Sequence, residues 1–338
     1  MKKKKKSKVP YLIAAGIAIA GFIWWYRDTH TIYGVYMRGY SATDVAPWTG
    51  NENIKSVRFD NALPEDTTDC WSVGVGDAAD LMVAYVEDNT LVFACDYPIY
   101  NIGSYVFTEL PNLRHITIPE GVLVLGDYVF SYNDNLESIH LPYSLLTIGK
   151  CTFAFSTGLK SVTGAYNVGA MGTSAFHDCS NLSIVDFPMK VTEVPDYTFA
   201  NCSSLESVML SKNITSIGAN AFTNAGLKSI QLSDNVTEIG FQAFANTKLS
   251  SIYIPSGITS IPQECFLQCY DLQTVGGGEG IEEVGKKAFY DCVSLTILPD
   301  ISNAEVSSDA LINSPYHIKR NPEQYEDMIF TSDSDIYN

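Results

Sequence analysis

Nine phenylalanines recur through the middle of the chain at an almost constant spacing of 22 or 23 residues. They are Phe107, Phe130, Phe153, Phe176, Phe199, Phe222, Phe244, Phe266 and Phe289. A leucine follows each of them at a nearly constant distance, and these leucines are Leu113, Leu136, Leu159, Leu182, Leu205, Leu227, Leu249, Leu272 and Leu295. So regular a period is typical of a solenoid, in which near-identical units stack and share one long core.

One repeat, residues 205–222, shows what each unit contributes. It begins Leu-Glu-Ser-Val-Met-Leu, and the alternation at the end of this run predicts a strand with one buried face. Polar residues or a proline follow, and a proline such as Pro142 or Pro188 marks the end of the strand because it cannot donate to a sheet. A second apolar pair comes next, here Ile214 and Ile217.

The last part of the repeat predicts a turn. Ala221 and Phe222 lie three and four residues after Gly218, which places both side chains on the inward face of a short helical or 3-10 turn. We therefore expect turns on one face of the solenoid. On the other face we expect parallel strands about 4.8 Å apart in one continuous sheet.

The repeat resembles that of the BspA-type leucine-rich repeat family. The matching pattern is Leu-x-x-Ile-x-Leu-Pro, then Val-Thr-x-Ile-Gly-x-x-Ala-Phe, then Asn-Cys-x-x-Leu, and it covers about residues 100–312. The resemblance implies a leucine-rich solenoid on a cell-surface protein that adheres to host proteins or to other cells. It implies no catalytic residues, so we do not expect an enzyme.

The pattern weakens in places. Gly164, Gly277 and Asp300 replace an aliphatic residue of the strand. In the decayed repeat 304–312, Leu311 or Ile312 would take the place of the phenylalanine, as expected for a C-terminal cap.

The N-terminus carries a membrane signal. Six lysines within residues 2–8 precede residues 9–26, which contain no charge. A helix of that length would span about 27 Å, enough for a hydrocarbon core. Because the lysines precede the apolar run and an acidic body follows it, we expect a cytoplasmic N-terminus and an extracellular body. Two interpretations remain: an uncleaved signal anchor, which we favour, or a secreted protein whose signal peptide is cleaved after Ala20.

The region before the array predicts a β-rich cap. Residues 71–75, 81–86 and 90–95 read as strands, with a turn at Asp88 and Asn89, and a solenoid needs its exposed core covered at each end. Residues 54–59 have the spacing of a repeat strand and indicate a degenerate repeat before this hairpin. The predicted segments are a cytoplasmic basic stub (1–8), a transmembrane anchor (9–26), a stalk and lead-in (27–70), a β-hairpin cap (71–100), an array of about nine repeats (101–312) and a C-terminal cap and tail (313–338).

The chain has eight cysteines, and four share one position in the repeat. Cys179, Cys202, Cys269 and Cys292 each lie three residues after a repeat phenylalanine, where other repeats have small residues. We favour buried free thiols in this position. Disulfides Cys179–Cys202 and Cys269–Cys292, a separate Cys70–Cys95 bridge, and a zinc site at Cys265 and Cys269 are the alternatives.

The net charge and the lack of catalytic motifs argue against several classes of function. Beyond residue 26 the chain has 15 basic residues (21 minus 6) and 38 acidic ones, a net of −23, which disfavours nucleic acid as a partner. None of the five histidines lies in a metal-binding or nucleophile motif, so we predict no metal, cofactor or catalytic residue.

The outward positions of the strands form the candidate site. One row of these positions is small and monotonous, whereas the next row is varied. We predict that the varied row binds a protein or glycan partner through His140, Asp186, Met209, Gln231 and Tyr253. The rival hypothesis is a structural spacer or self-assembling surface layer that has no discrete ligand.

Overall fold

The protein is a parallel β-solenoid of about nine turns, as the repeat predicts. A computed structural model describes residues 34–35, 46, 48–60, 71–73, 82–94 and 98–316. Within each repeat the chain runs from one short strand to a second and then through a turn that carries the phenylalanine. Equivalent residues of neighbouring repeats pair in parallel, for example Thr147 with Ala170.

The chain enters the solenoid through five strands. They are β1 (Gly34–Val35), β2 (Ser56–Asp60), β3 (Trp71–Val73), β4 (Met82–Glu87) and β5 (Thr90–Ala94). The predicted hairpin is confirmed: β3, β4 and β5 are antiparallel, and the turn at Asp88 and Asn89 has positive φ at both residues.

The strand that follows each leucine belongs to a row that we call the front face. In the array these strands are β7 (His115–Ile116), β9 (Ser138–His140), β11 (Ser161–Thr163), β13 (Ile184–Val185), β17 (Ser251–Ile254) and β19 (Thr274–Gly277). Single bridges, Ser207 with Ser229 and Thr274 with Ile297, extend the row. The front face is therefore a series of short parallel sheets and not the continuous sheet we expected.

The second apolar pair of each repeat forms another row of strands, the side row. These strands are β6 (Asn101–Ile102), β8 (Val124–Leu125), β10 (Thr147–Ile148), β12 (Ala170–Met171), β14 (Glu193–Val194), β15 (Ser216–Ile217), β16 (Glu238–Ile239), β18 (Ser260–Ile261), β20 (Glu283–Val284) and β21 (Glu305–Val306). This row breaks after β12 and after β16. In the repeats beside each break, the residue that follows the side-row strand is a glycine, and its amide donates to the strand of the preceding repeat. At the two breaks the equivalent residue is Pro195 or Pro262, which has no N–H to donate.

The phenylalanine segments are turns, so the prediction of helical or 3-10 turns is wrong. The residues two before and two after each phenylalanine have positive φ, for example Tyr128 (57°) and Tyr132 (59°) around Phe130. Left-handed residues this close together interrupt a right-handed helix. The turns are bound to each other instead, because each phenylalanine amide donates to a carbonyl of the next repeat, as Phe153 does to Ala175 at 2.9 Å.

The nine phenylalanine rings form one stack through the core. All are buried, and neighbouring ring centroids lie 5.2–5.6 Å apart. This distance falls within the range that offset-stacked aromatic pairs prefer. At the C-terminal end Leu311 takes the next position, since Phe289 donates to the carbonyl of Ala310.

Two further aromatic rings close the stack at its N-terminal end. Phe93 meets Phe107 edge to face at 5.4 Å, and Trp48 meets Phe93 in the same way at 5.2 Å. The indole N–H of Trp48 also donates to the carbonyl of Val106 at 2.6 Å. These aromatic side chains thus cover the exposed core of the first repeat with apolar surface, and the polar N–H of the indole is hydrogen-bonded.

Part of the segment predicted as stalk belongs to the solenoid. β1 pairs with β6 in the side row, and β2 lies between β5 and β7 in the front face. Residues 54–59, predicted to be a degenerate repeat, thus contain a strand that pairs in parallel in the front face. The predicted membrane span, residues 9–26, lies outside the described residues, among which no helix is long and apolar enough to cross a membrane.

Candidate partner-binding face

The front face presents two outward rows of side chains, as the alternation predicts. Register places Thr163 beside His140 and Gly276 beside Tyr253, so the varied row runs along the stack with one residue per repeat. His140, Met209, Gln231 and Tyr253 are exposed, and Asp186 is half-buried. The structure therefore brings the five predicted residues onto one surface.

Large apolar side chains stand out in the middle of this surface. Met209 is 82% exposed and Tyr253 is 57% exposed. Ile184, in the otherwise serine-rich row, is 58% exposed. Single exposed apolar residues are ordinary, but their grouping on one face is typical of surfaces that bind partners.

Two polar residues of the row are held by their neighbours. His140 Nδ1 lies 3.0 Å from the hydroxyl of Thr163. The carboxylate of Asp186 accepts a hydrogen bond from the amide of Gly164 at 3.0 Å. Gly164 has φ of +89°, and a Cβ there would lie 2.3 Å from the carbonyl oxygen of Leu141, which explains why a glycine replaces the aliphatic residue. Asp186 therefore has a structural role as well as an outward position.

Sequence reasoning missed three exposed apolar side chains at the edge of the front face. Tyr143, Tyr166 and Met189 occupy equivalent positions in successive repeats, directly after the strands end. Tyr143 is 65% exposed. The sequence does contain a signal for this position, because each of these residues directly follows the proline or alanine that ends the strand region of its repeat.

Two exposed salt bridges join neighbouring repeats on the same face. Lys160 bridges to Glu137 at 2.8 Å, and Lys228 bridges to Glu206 at 2.5 Å. The hydrogen bond from Lys160 holds the pKa of Glu137 below its ordinary value. All four side chains are exposed, so these pairs add little to stability, and they neutralise charge beside the apolar residues.

The cysteines of the array are buried free thiols, as favoured from the sequence. Those described are Cys151, Cys179, Cys202, Cys265, Cys269 and Cys292. The two adjacent-repeat disulfides are therefore absent, and Cys70 and Cys95 lie outside the described residues. The thiol of Cys179 donates to the carbonyl of Phe153 at 3.1 Å, and Cys202 repeats this contact to Phe176. Burial raises the pKa of both thiols.

Side chains that could hold a metal ion are dispersed in the described part of the chain. Among the described residues, no three His, Cys, Asp or Glu side chains come close enough together to hold a metal ion. Cys265 and Cys269, the suggested zinc ligands, are both buried within the array. The fold thus defines a leucine-rich repeat solenoid, and its front face carries exposed apolar side chains.

The family follows from the repeats themselves. A family model described as "BspA type Leucine rich repeat region (6 copies)" matches residues 90–205 and 192–316, which is more than half of the chain. The chain belongs to the BspA-type leucine-rich repeat family. A comparison with curated protein sequences found no match.

Several solved structures are similar to this chain. A leucine-rich repeat protein of T. pallidum is 25% identical with a TM-score of 0.44, over 48% of this chain and 78% of that one. One from Bacteroides ovatus is 20% identical with a TM-score of 0.37, over 76% and 96%. A leucine-rich cell surface protein from Faecalibacterium prausnitzii is 17% identical with a TM-score of 0.34, over 78% and 95%.

Proposed function

We propose that this protein is a membrane-anchored, extracellular scaffold whose front face binds a protein or glycan partner. The observation that carries the proposal is the group of exposed apolar side chains on that face, with Met209 at its centre. Burying such side chains against a partner removes apolar surface from water, at roughly 25 cal/mol per Å². Membership of the BspA-type family supports a surface location.

The polar residues of the row would provide specificity. Gln231 is exposed and makes no hydrogen bond among the described residues, so its amide can both donate to and accept from a partner. The imidazole of His140 and the carboxylate of Asp186 lie on the same face. Apolar anchors with a few polar groups around them are the usual composition of a binding surface.

Binding is tested with cells that display the full chain. Adhesion to immobilised matrix proteins, mucin and epithelial cells is compared for the wild type, Met209→Ser, Tyr253→Ser and Tyr132→Ser. The last is the matched control, because Tyr132 is an exposed tyrosine on the turns. We expect each front-face variant to weaken adhesion about tenfold or more, which corresponds to about 1.4 kcal/mol. Adhesion to none of these surfaces would favour the structural spacer instead.

The anchor is tested separately by fractionation and protease treatment of intact cells. An uncleaved span at residues 9–26 predicts that the protein sediments with membranes and that external protease removes the array. Release of the protein into the medium would support cleavage after Ala20. Resistance of the array to external protease would overturn the topology.

A further inference from the structure

Two neighbouring repeats differ from the others by one missing residue. The leucine follows the phenylalanine by six residues in most repeats, but by five at Phe222–Leu227 and at Phe244–Leu249. The missing residue is in the loop between the turn and the front strand. The two short loops belong to successive repeats and therefore lie next to each other in the stack.

The short loops leave a notch in the loop edge of the solenoid. Its walls are Ser203 on one side and Tyr270 with Asp271 on the other, and its volume is about 350 Å³. That is near the lower end of the roughly 300–1,000 Å³ of small-ligand clefts. Gly226 lies in the floor, where the missing side chain lets the short loop pack against the preceding one, since a Cβ there would lie 2.1 Å from the carbonyl oxygen of Ser203.

The side chains at the notch make fewer hydrogen bonds between loops than those of several other repeats. In one of those repeats the side chain of Asn181 donates to the carbonyl of Thr157 at 2.8 Å, whereas the first short loop is joined to the preceding loop by the backbone amide of Gly226, which donates to the carbonyl of Cys202 at 3.1 Å. Within residues 98–316, the ammonium of Lys248, the carboxylate of Asp271 and the hydroxyl of Tyr270 make no hydrogen bond or ion pair. These groups are exposed and available to a ligand.

An amide completes the polar lining. The Nδ2 of Asn246 donates to Asn224 at 2.8 Å, which holds the side chain in place and leaves its Oδ1 without a donor among residues 98–316. The side of the notch therefore presents an amide oxygen, a carboxylate and an ammonium around a tyrosine ring that is 47% exposed. Donors and acceptors around one aromatic ring suit a ligand with several hydroxyl groups and an apolar ring face.

We propose that this notch binds one neutral pyranose unit of a glycan, with its ring stacked on Tyr270 and its hydroxyls bonded to Asn246, Lys248 and Asp271. An acidic sugar is disfavoured by the carboxylate of Asp271 and by the acidic body of the chain. A divalent cation is disfavoured because the notch offers a single carboxylate. The site lies on the loop edge and is separate from the front face.

The purified full-length protein in detergent is tested by saturation-transfer NMR and titration calorimetry. The probes are glucose, galactose, mannose and N-acetylglucosamine, with sialic acid as the anionic comparison. We expect at least one neutral sugar to bind with a Kd of about 1–10 mM, an ordinary affinity for so small a contact. No neutral sugar binding at that concentration, or preferential binding of sialic acid, would overturn the proposal.

Two variants test whether the sugar binds in the notch. Tyr270→Ala removes an exposed ring and should weaken binding about tenfold or more without a change in Tm. One serine inserted after Gly226 and one after Lys248 restore the 23-residue spacing and should fill the notch and abolish binding. Tyr132→Ser is the control and should bind as the wild type does. Unchanged binding by Tyr270→Ala would contradict the site even if the insertion variant fails to fold. Loss of adhesion through the front face leaves this result unaffected, so the two proposals fail independently.

Discussion

The ring of Phe153 lies parallel to that of Phe176, with the centroids 5.3 Å apart and the planes within 2° of each other. The two residues are one repeat apart, and the amide of Phe153 donates to the residue before Phe176. Stacked rings and backbone hydrogen bonds therefore join neighbouring repeats at the same place. Each unit depends on its neighbours, because one repeat alone could bury neither the ring nor the amide.

Removing one ring from the stack should destabilise the array. Phe176→Ala leaves a cavity between two buried rings and should cost about 3–5 kcal/mol. Urea denaturation followed by circular dichroism measures the change, with Phe241→Ala, at an exposed phenylalanine, as the control. A denaturation midpoint equal to that of the wild type would show that Phe176 is not held between its neighbours.

The array thiols should be inert in the folded protein. The thiolate is the reactive species, and burial raises the pKa of Cys179, Cys202, Cys265, Cys269 and Cys292. In a variant with Cys70→Ser, Cys95→Ser and Cys151→Ser, we expect no reaction with Ellman's reagent at pH 8 until denaturant is added. Rapid modification of the native protein would refute the burial of these thiols.

Stability should decline in alkali because of the same burial. The pKa of Cys269 is raised from 9.0 to about 11, mainly by desolvation and against a hydrogen bond with Thr247. Below pH 9 the thiol is protonated in both states. Between pH 9 and about 11 the unfolded state loses its proton first, so the free energy of unfolding falls as pH rises.

The comparison that isolates this effect is Cys269→Ser. Serine occupies the same position at Ser156, where its hydroxyl donates to the carbonyl of Phe130 at 2.7 Å. The variant should therefore fold and show a shallower decline in urea midpoint between pH 8 and 10. An identical slope in the two proteins would mean that Cys269 is not the titrating group.

An amide ladder runs along the turns and should depend on left-handed backbone. Asn201 donates to Asp178 at 2.9 Å and accepts from Asn224 at 2.8 Å, and its φ is 63°. Asn201→Ala loses both contacts and adds strain of roughly 1 kcal/mol at this φ. Asn201→Gly loses the same contacts and gains freedom in the unfolded chain but carries no strain at this φ, so the alanine variant should have the lower Tm. A higher Tm for the alanine variant would contradict the strain.

Much of the fold follows from local pattern. The period predicts the stack, the alternation predicts which strand residues point outward, and the position after the phenylalanine predicts the buried cysteines. The helical turns were wrong because Ala221 and Phe222 have a helical spacing from Gly218, whereas the backbone at Asn220 is left-handed, with φ of 55°. Spacing reports which side chains face inward and carries no information on the sign of φ.

The candidate surfaces were only partly visible in the sequence. Met209 and Tyr253 were found from the alternation, whereas Tyr143 lies beyond the strand end, where the alternation no longer applies. The notch depends on two short loops being neighbours. Its residues are contiguous only because stacking brings Asn224, Asn246 and Tyr270 together from three repeats.

The sequence by itself determined the repeat, its buried ring and its outward rows, because each depends on periods shorter than one repeat. Only the tertiary structure decided how the stack begins. β2 precedes the hairpin in the chain but lies between β5 and the first repeat, and Trp48 bonds to Val106, 58 residues away. Such contacts depend on where apolar surface is left uncovered once the repeats have stacked, and no local pattern specifies that position.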